Sequence, residues 1–142
     1  MVSFPARALR SNLMGRLHGL VQRHGEAYLA RARGGGTQRE LVHADADMEV
    51  WLLAWLPDHT TSIHDHGGAV TATAVLDGAL LEERFVRAGF GVRAAGTVRR
   101  AAGDYDELDE GAIHRVRALG RTITLHAYAP RALDGRELEE TR

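Results

Sequence analysis

The stretch TTSIHDHGGAVTATAVLDG occupies residues 60–78. Two histidines, His64 and His66, stand one residue apart; a Gly-Gly pair follows, then a run of β-formers, then Asp77-Gly78. Ala69 to Leu76 reads as a strand, Asp-Gly as the tight turn of a hairpin, and Ala79 to Val86 as its return strand. In an extended segment successive side chains alternate, which points His64 and His66 to one side and Asp65 to the other. Two imidazoles on one side can hold one ion, but a surface loop can also carry two histidines. A metal site requires a third ligand from elsewhere in the chain.

Outward from this stretch the period-two rhythm continues. Met48, Val50, Leu52, Ala54 and Leu56 alternate with Glu49, Trp51, Leu53 and Trp55, as in a strand buried on much of both faces. Further short strands are expected over Val92 to Arg99, Ala112 to Ala118 and Thr122 to Ala129, with Gly103, Gly111 and Gly120 as breaks. Toward the N-terminus the period changes. Leu9, Leu13, Leu17, Leu20 and Val21 repeat at helical spacing, Ser3 is a candidate cap, Pro5 falls in the first turn, and Gly25 reads as the exit. A second short helix is expected over Glu26 to Arg33, ended by Gly34-Gly35-Gly36. The expected fold is mainly β, a small barrel or jelly roll over 37–130, with N-terminal helices (1–33) packed against it as a layer of a single domain spanning 1–142.

Composition narrows the chemistry. The 142 residues suffice for one domain with a real core. The net charge of −1 gives no reason to expect nucleic acid or a membrane surface as partner. All 18 basic residues are Arg, so lysine Schiff-base chemistry is excluded. Cys is absent, which excludes disulfides, zinc–thiolate sites, iron–sulfur clusters and thiol nucleophiles. No apolar run reaches the ~20 residues of a membrane span, and the N-terminal residues lack a continuous apolar signal core, so a cytoplasmic protein is expected.

The wider spacing resembles that of cupin barrels. Gly78 follows His66 by twelve residues at a tight turn, as in the first cupin motif. GDYDELDEGAIHRVRA, residues 103–118, has the spacing of the second: Gly103, Asp109 where Pro is usual, Gly111, then His114, which would be the third ligand. The first motif ordinarily carries a Glu ligand after its second His, but the matching positions here are Val70 and Thr71. The expected site is therefore three neutral imidazoles and no acid. A divalent ion keeps its full charge in such a site, which favours an anionic, chelating ligand and lowers the pKa of a bound thiol.

Within the cupins, SIHDH (62–66), Trp55 upstream, His114 downstream and TLHAYAP (124–130) resemble the cysteine dioxygenase family over roughly Arg39 to Pro130. That resemblance implies an enzyme with one Fe(II) per chain that adds both atoms of O₂ to a small thiol, most simply L-cysteine in its catabolism, and yields the sulfinate. The close alternative is 3-mercaptopropionate or a related mercapto-acid. It further implies His64, His66 and His114 as iron ligands, and Thr124, His126 and Tyr128 as a hydrogen-bonded relay in which His126 orients the Tyr128 hydroxyl. Arg39, with Thr37 two residues before it, matches the arginine that pairs with the substrate carboxylate, a task for which a planar guanidinium is suited. Thr71 stands where mammalian members carry a Cys crosslinked to the tyrosine. The implied partners are the small thiol and O₂, with the protein a monomer or small homo-oligomer.

Other readings stay beside these. A metal-binding cupin acting as a sensor or ligand-binding module would keep the three histidines and need no relay, and a zinc or nickel isomerase would keep them without oxygen chemistry. Arg39 could equally pair with Glu40 or an Asp of ADAD (44–47), and His114 with Asp109 or Glu110. Trp55 is expected as a wall of the substrate pocket, His59 as a loop residue, His18 and His24 on the helix surface, and Asp104 to Glu110 as a solvated acidic loop.

Overall fold

The computed structural model of the chain describes residues 6–35 and 38–130, with side chains from residue 12 onward. The expected Ser3 cap, Pro5 and Thr37 lie outside the described residues. One helix, α1 (Ala6–Arg33), is followed by eight strands: β1 (Arg39–Ala44), β2 (Glu49–Trp55), β3 (Val70–Asp77), β4 (Ala79–Ala88), β5 (Gly91–Ala101), β6 (Tyr105–Leu108), β7 (Ile113–Ala118) and β8 (Thr122–Ala129). They form a five-stranded antiparallel sheet in the order β1-β2-β8-β3-β6 and a three-stranded one in the order β5-β4-β7. The architecture is the mainly β, two-sheet arrangement expected of a cupin.

Two expectations about local structure are corrected. The helix does not stop at Gly25 but runs unbroken to Arg33. Leu13, Leu17 and Leu20 are buried before Gly25, and Tyr28 and Ala32 after it. Burying a large apolar side chain contributes about 1.5–3 kcal/mol, which exceeds the roughly 1 kcal/mol cost of a helical glycine. The exit lies at Gly35 instead, whose φ of 78° is the left-handed conformation of a helix C-terminus. The acidic stretch is likewise not a loop throughout. Tyr105–Leu108 pairs with Thr71–Ala74 as β6, closing the edge of the larger sheet.

The larger sheet is used on both faces. Val50 and Leu52 of β2, Ala72 and Ala74 of β3, and Leu125 and Ala127 of β8 join the leucine stripe of α1 in one core cluster. The alanines keep the sheet surface low, so the helix can lie close to it. Residues of the opposite face stand side by side in register: Glu49, Tyr128 and Thr71; Trp51, His126 and Thr73; Leu53, Thr124 and Val75. These look toward the smaller sheet, where Leu80, Val116 and Ala118 pack with Trp55 and Val75. Strand alternation thus gives the odd-numbered positions of β2 and β3 and the even-numbered positions of β8 to the interior between the sheets.

The hairpin expected at Asp77-Gly78 is also corrected: β3 pairs with β6 and β8 in the larger sheet and β4 with β5 and β7 in the smaller one, so the turn carries the chain from one sheet to the other, and it is tightly enclosed. Gly78 has a φ of 81°, and a Cβ there would fall 2.4 Å from the Arg121 carbonyl oxygen and 2.6 Å from Thr122 Oγ1. Gly35 has a similar φ but open space around it. Gly35→Ala should therefore cost only the left-handed backbone penalty, about 1–2 kcal/mol, whereas Gly78→Ala should cost more than about 3 kcal/mol. Equal losses in urea unfolding would show that the turn yields to the added methyl.

Candidate metal centre

His64 and His66 lie between β2 and β3, not in a strand as the alternation suggested. What holds them is antiparallel bridging to β7, at Thr60–Arg117 and at His64–His114. The His64 N–H donates to the His114 carbonyl at 3.0 Å, and the His114 N–H donates back at 3.1 Å. Ile63 fastens the same loop by packing against Phe85, Val92 and Ile113. Asp65 turns away from the site, is buried, and accepts from the Gly67 N–H at 3.2 Å.

The three imidazoles converge. One ring nitrogen from each of His64, His66 and His114 lies within 4.8 Å of the other two, and the ring centroids are 4.7–5.0 Å apart. Their outer hydrogen bonds fix two of the tautomers. His64 Nδ1 faces the Ser62 carbonyl oxygen at 2.8 Å and must donate, since a carbonyl only accepts. His114 Nδ1 donates to Glu82 Oε2 at 3.1 Å. Both Nε2 atoms are thus left as bare lone pairs. His114 Nε2 lies 3.2 Å from His66 Nε2. Nitrogens bound about 2.1 Å from a shared ion sit roughly 2.9–3.4 Å apart, depending on the coordination angle. The separation, the bare lone pairs and the donor type all fit a divalent transition metal, and imidazole suits Fe, Zn, Cu and Ni alike.

The converging group holds three imidazoles and no acid, but an acid lies directly behind one of them. Glu82, on β4, puts its carboxylate directly behind His114, where Asp109 or Glu110 had been the alternative partners. Burial acts to raise that carboxyl, but hydrogen bonds from His114 and Arg84 outweigh it and hold the group at about 2. Sequence reasoning missed Glu82. Its signal was an acid at an inward position of the return strand, obscured by Glu83 beside it.

Beside the centre runs a second chain of hydrogen bonds. Trp55 Nε1–H donates to Thr124 Oγ1 at 2.9 Å, Thr124 Oγ1 lies 2.7 Å from His126 Nε2, and His126 Nδ1 lies 3.3 Å from Thr73 Oγ1. The indole can only donate, so one consistent assignment sends the Thr124 proton to His126 Nε2 and the His126 Nδ1 proton to Thr73. This chain does not reach Tyr128 as the resemblance implied. The Tyr128 hydroxyl has no hydrogen-bond partner among the described residues. Its ring instead lies 6.0 Å from the His66 ring, with Thr71 opposite it on β3. Burial pushes the Tyr128 phenol above its ordinary value, against the lowering charge of Arg39, so the hydroxyl keeps its proton.

Arg39 opens β1 and stacks over Trp51, with 3.9 Å from the guanidinium carbon to the ring. Glu40 pairs with Arg31, and Asp45 of ADAD with Arg16 and His43. Arg39 has no ion-pair partner among the described residues. With Trp55 and His59 it lines a cleft of about 240 Å³. Trp55 also anchors Thr124, and its ring meets His59 edge-on at 5.5 Å. A larger hollow of about 650 Å³ lies where α1 ends, lined by Ala32, Arg33, Asp77 and Arg121, and includes none of the imidazoles.

Burial pushes His66 down to about 3, with the His114 and His64 charges acting in the same direction. His126 also falls to about 3, first through burial, then through the three site imidazoles and Arg39. The unfolded chain protonates both near pH 6.5, whereas the folded chain keeps them neutral. Stability is therefore fully present above about pH 6.5 and declines as the pH falls toward 3, by about 1.4 kcal/mol per pH unit for each group. Urea unfolding of the metal-free protein should show a loss of about 2–3 kcal/mol from pH 7 to 5.5. An unchanged midpoint would mean that these imidazoles take up protons in the fold.

Residues 27–136 match the family model of cysteine dioxygenase type I. Among solved structures, the fold is similar to a double-stranded β-helix protein from Klebsiella pneumoniae, with a TM-score of 0.60 at 18% identity, covering 72% of this chain and 79% of that one. It is also similar to an RmlC-like cupin from Shewanella frigidimarina, with a TM-score of 0.55 at 12% identity over 65% and 74% of the two chains. A cupin superfamily protein from Desulfitobacterium hafniense gives 0.53 at 13% identity over 64% and 74%. These likenesses carry the fold, and the family match carries more: over three quarters of its length the chain belongs to the cysteine dioxygenase type I family.

Proposed function

We propose that the protein is an Fe(II)-dependent thiol dioxygenase that converts a small carboxylate-bearing thiol, most simply L-cysteine, to its sulfinate. The observation that carries this reading is the convergence of His64, His66 and His114, with two Nε2 lone pairs turned inward, in a chain of this family. When bound, one ferrous ion per chain supplies a Lewis-acidic, redox-active point at which a thiolate sulfur and O₂ can meet. Both oxygen atoms go to sulfur, thiolate plus O₂ giving sulfinate, with no other reductant consumed.

The chain's own residues do the rest. Arg39 is held flat by Trp51, which leaves the edge of its guanidinium to take a carboxylate through two N–H donors. Tyr128 keeps a proton on a hydroxyl without a protein partner among the described residues and can donate it to a developing sulfur-bound oxygen. Trp55, Thr124 and Thr73 hold His126 in place and burial keeps it neutral, a pocket wall that adds no charge next to the imidazoles. The gain is largely proximity: sulfur and oxygen held adjacent, with the substrate anchored at its far end.

The decisive measurement is oxygen uptake by anaerobically purified, Fe(II)-loaded protein with L-cysteine and 3-mercaptopropionate in parallel, and sulfinate quantified. Uptake matched by sulfinate from one thiol establishes the reaction and its substrate. No uptake with either thiol, in protein holding one iron per chain, would leave a binding cupin. Tyr128→Phe should lower kcat by about 10²-fold with iron content unchanged. Arg39→Ala should raise KM by about 10²-fold, the value of a bidentate charged hydrogen bond to a carboxylate. A Tyr128→Phe protein with wild-type turnover would remove the hydroxyl from the reaction.

A further inference from the structure

Glu82 is a buried acid on the inward face of β4, and both its oxygens are committed. Oε2 accepts from His114 Nδ1 at 3.1 Å, and Oε1 accepts from Arg84 Nε at 2.7 Å, with Arg100 at 3.7 Å. Arg84 and Arg100 are tied in turn to Asp106 of β6, at 3.4 and 2.9 Å. Two acids and two arginines thus make a charge-balanced cluster between the sheets, on the side of His114 away from the other imidazoles. The Glu82 and Asp106 side chains are 6% and 12% exposed, so the charges are largely removed from water. Such a cluster is weak as a stabiliser, because desolvation cancels much of the attraction. Its location suggests a different value. It holds one carboxylate oxygen against one nitrogen of a metal-ligating imidazole.

We propose that Glu82 is a positioning residue for the metal. By accepting from Nδ1 it fixes the His114 tautomer, turns the Nε2 lone pair into the site and makes that nitrogen a stronger donor, while Arg84 and Arg100 lock the carboxylate in place. The acid missing from the ligand ring at Val70 and Thr71 is then supplied from behind, through a ligand. The imidazoles that would hold a metal bring no charge of their own, yet a compensating negative charge lies one hydrogen bond away. The proposal rests on the reading of the three histidines as metal ligands, but not on the dioxygenase reaction.

The test uses the full chain without iron. Ring-nitrogen NMR of the metal-free wild type should place the His114 proton on Nδ1. Zn(II) titration against a competing chelator should then show Glu82→Gln and Glu82→Ala binding about 10–100-fold more weakly than wild type. Glu83→Gln is the control. Glu83 pairs with Arg115 at 3.0 Å, away from the imidazoles, and its replacement should leave affinity unchanged. Glu82→Gln preserves shape, so it serves if Glu82→Ala fails to fold, and the wild-type spectrum needs no variant. A His114 proton on Nε2, or a folded Glu82→Gln protein with wild-type Zn(II) affinity, would overturn the proposal. If the variants lose zinc while iron-loaded wild type consumes no oxygen with any thiol, the dioxygenase reading fails and the role of Glu82 stands.

Discussion

The two backbone hydrogen bonds that His64 and His114 exchange are the constraint on which the site depends. They end a run of contacts that ties the loop between β2 and β3 to β7: the Ala118 N–H donates to the His59 carbonyl, the Thr61 N–H to the Val116 carbonyl, and Thr60 bridges Arg117. With them, a residue from the connection and a residue from the smaller sheet become direct neighbours across a bridge, and the spacing of one metal centre follows. Ile63 adds an apolar anchor on the other side of the loop, against Phe85 and Ile113. The side chains that point inward are therefore positioned by main-chain geometry, which is stiffer than any contact between imidazoles.

Around that bridge the interior divides by polarity. On one flank, Glu82, Arg84, Arg100 and Asp106 hold charge close behind His114. On the other, Trp55, Thr124, His126 and Thr73 form a neutral chain of hydrogen bonds, with Tyr128 and Thr71 paired at its end. Burial keeps protons off His66 and His126, and the charges of the neighbouring imidazoles act in the same direction. The three imidazoles that converge between these flanks could hold a metal ion.

How much of this was legible from sequence follows the range of the interactions. The three metal-ligating candidates and the cupin strand rhythm could be read because their signals are local: two histidines one apart, a tight turn, a glycine-spaced second motif. Arg39 could be placed only through a family resemblance, and the Trp51 ring that carries it was not legible. Both tryptophans fall on the same side of β2, yet only the pairing of β1 with β2 decides which meets the arginine. Glu82 was hidden for a similar reason. In LLEER either of two adjacent acids could face inward, and what selects Glu82 is the alignment of β4 with β7. The helix break expected at Gly25 failed because local propensity was outweighed by apolar contacts on either side of it. The solvated acidic loop expected around Asp106 failed because β3 offered an open edge.

The double use of β8 has a consequence for how this chain can change over time. Leu125 and Ala127 belong to the core under the helix, while Thr124, His126 and Tyr128 face the interior between the sheets, and the two sets interleave residue by residue. Substitutions can alter one set and spare the other. A single inserted or deleted residue cannot, because it exchanges the two sides of the strand and places leucine at the pocket and histidine beneath the helix. Lineages that keep this fold are therefore free to vary the length of the connections at the ends of β8, but its interior can drift only by replacement. Through this strand, the lining between the sheets and the hydrophobic core are inherited as one unit.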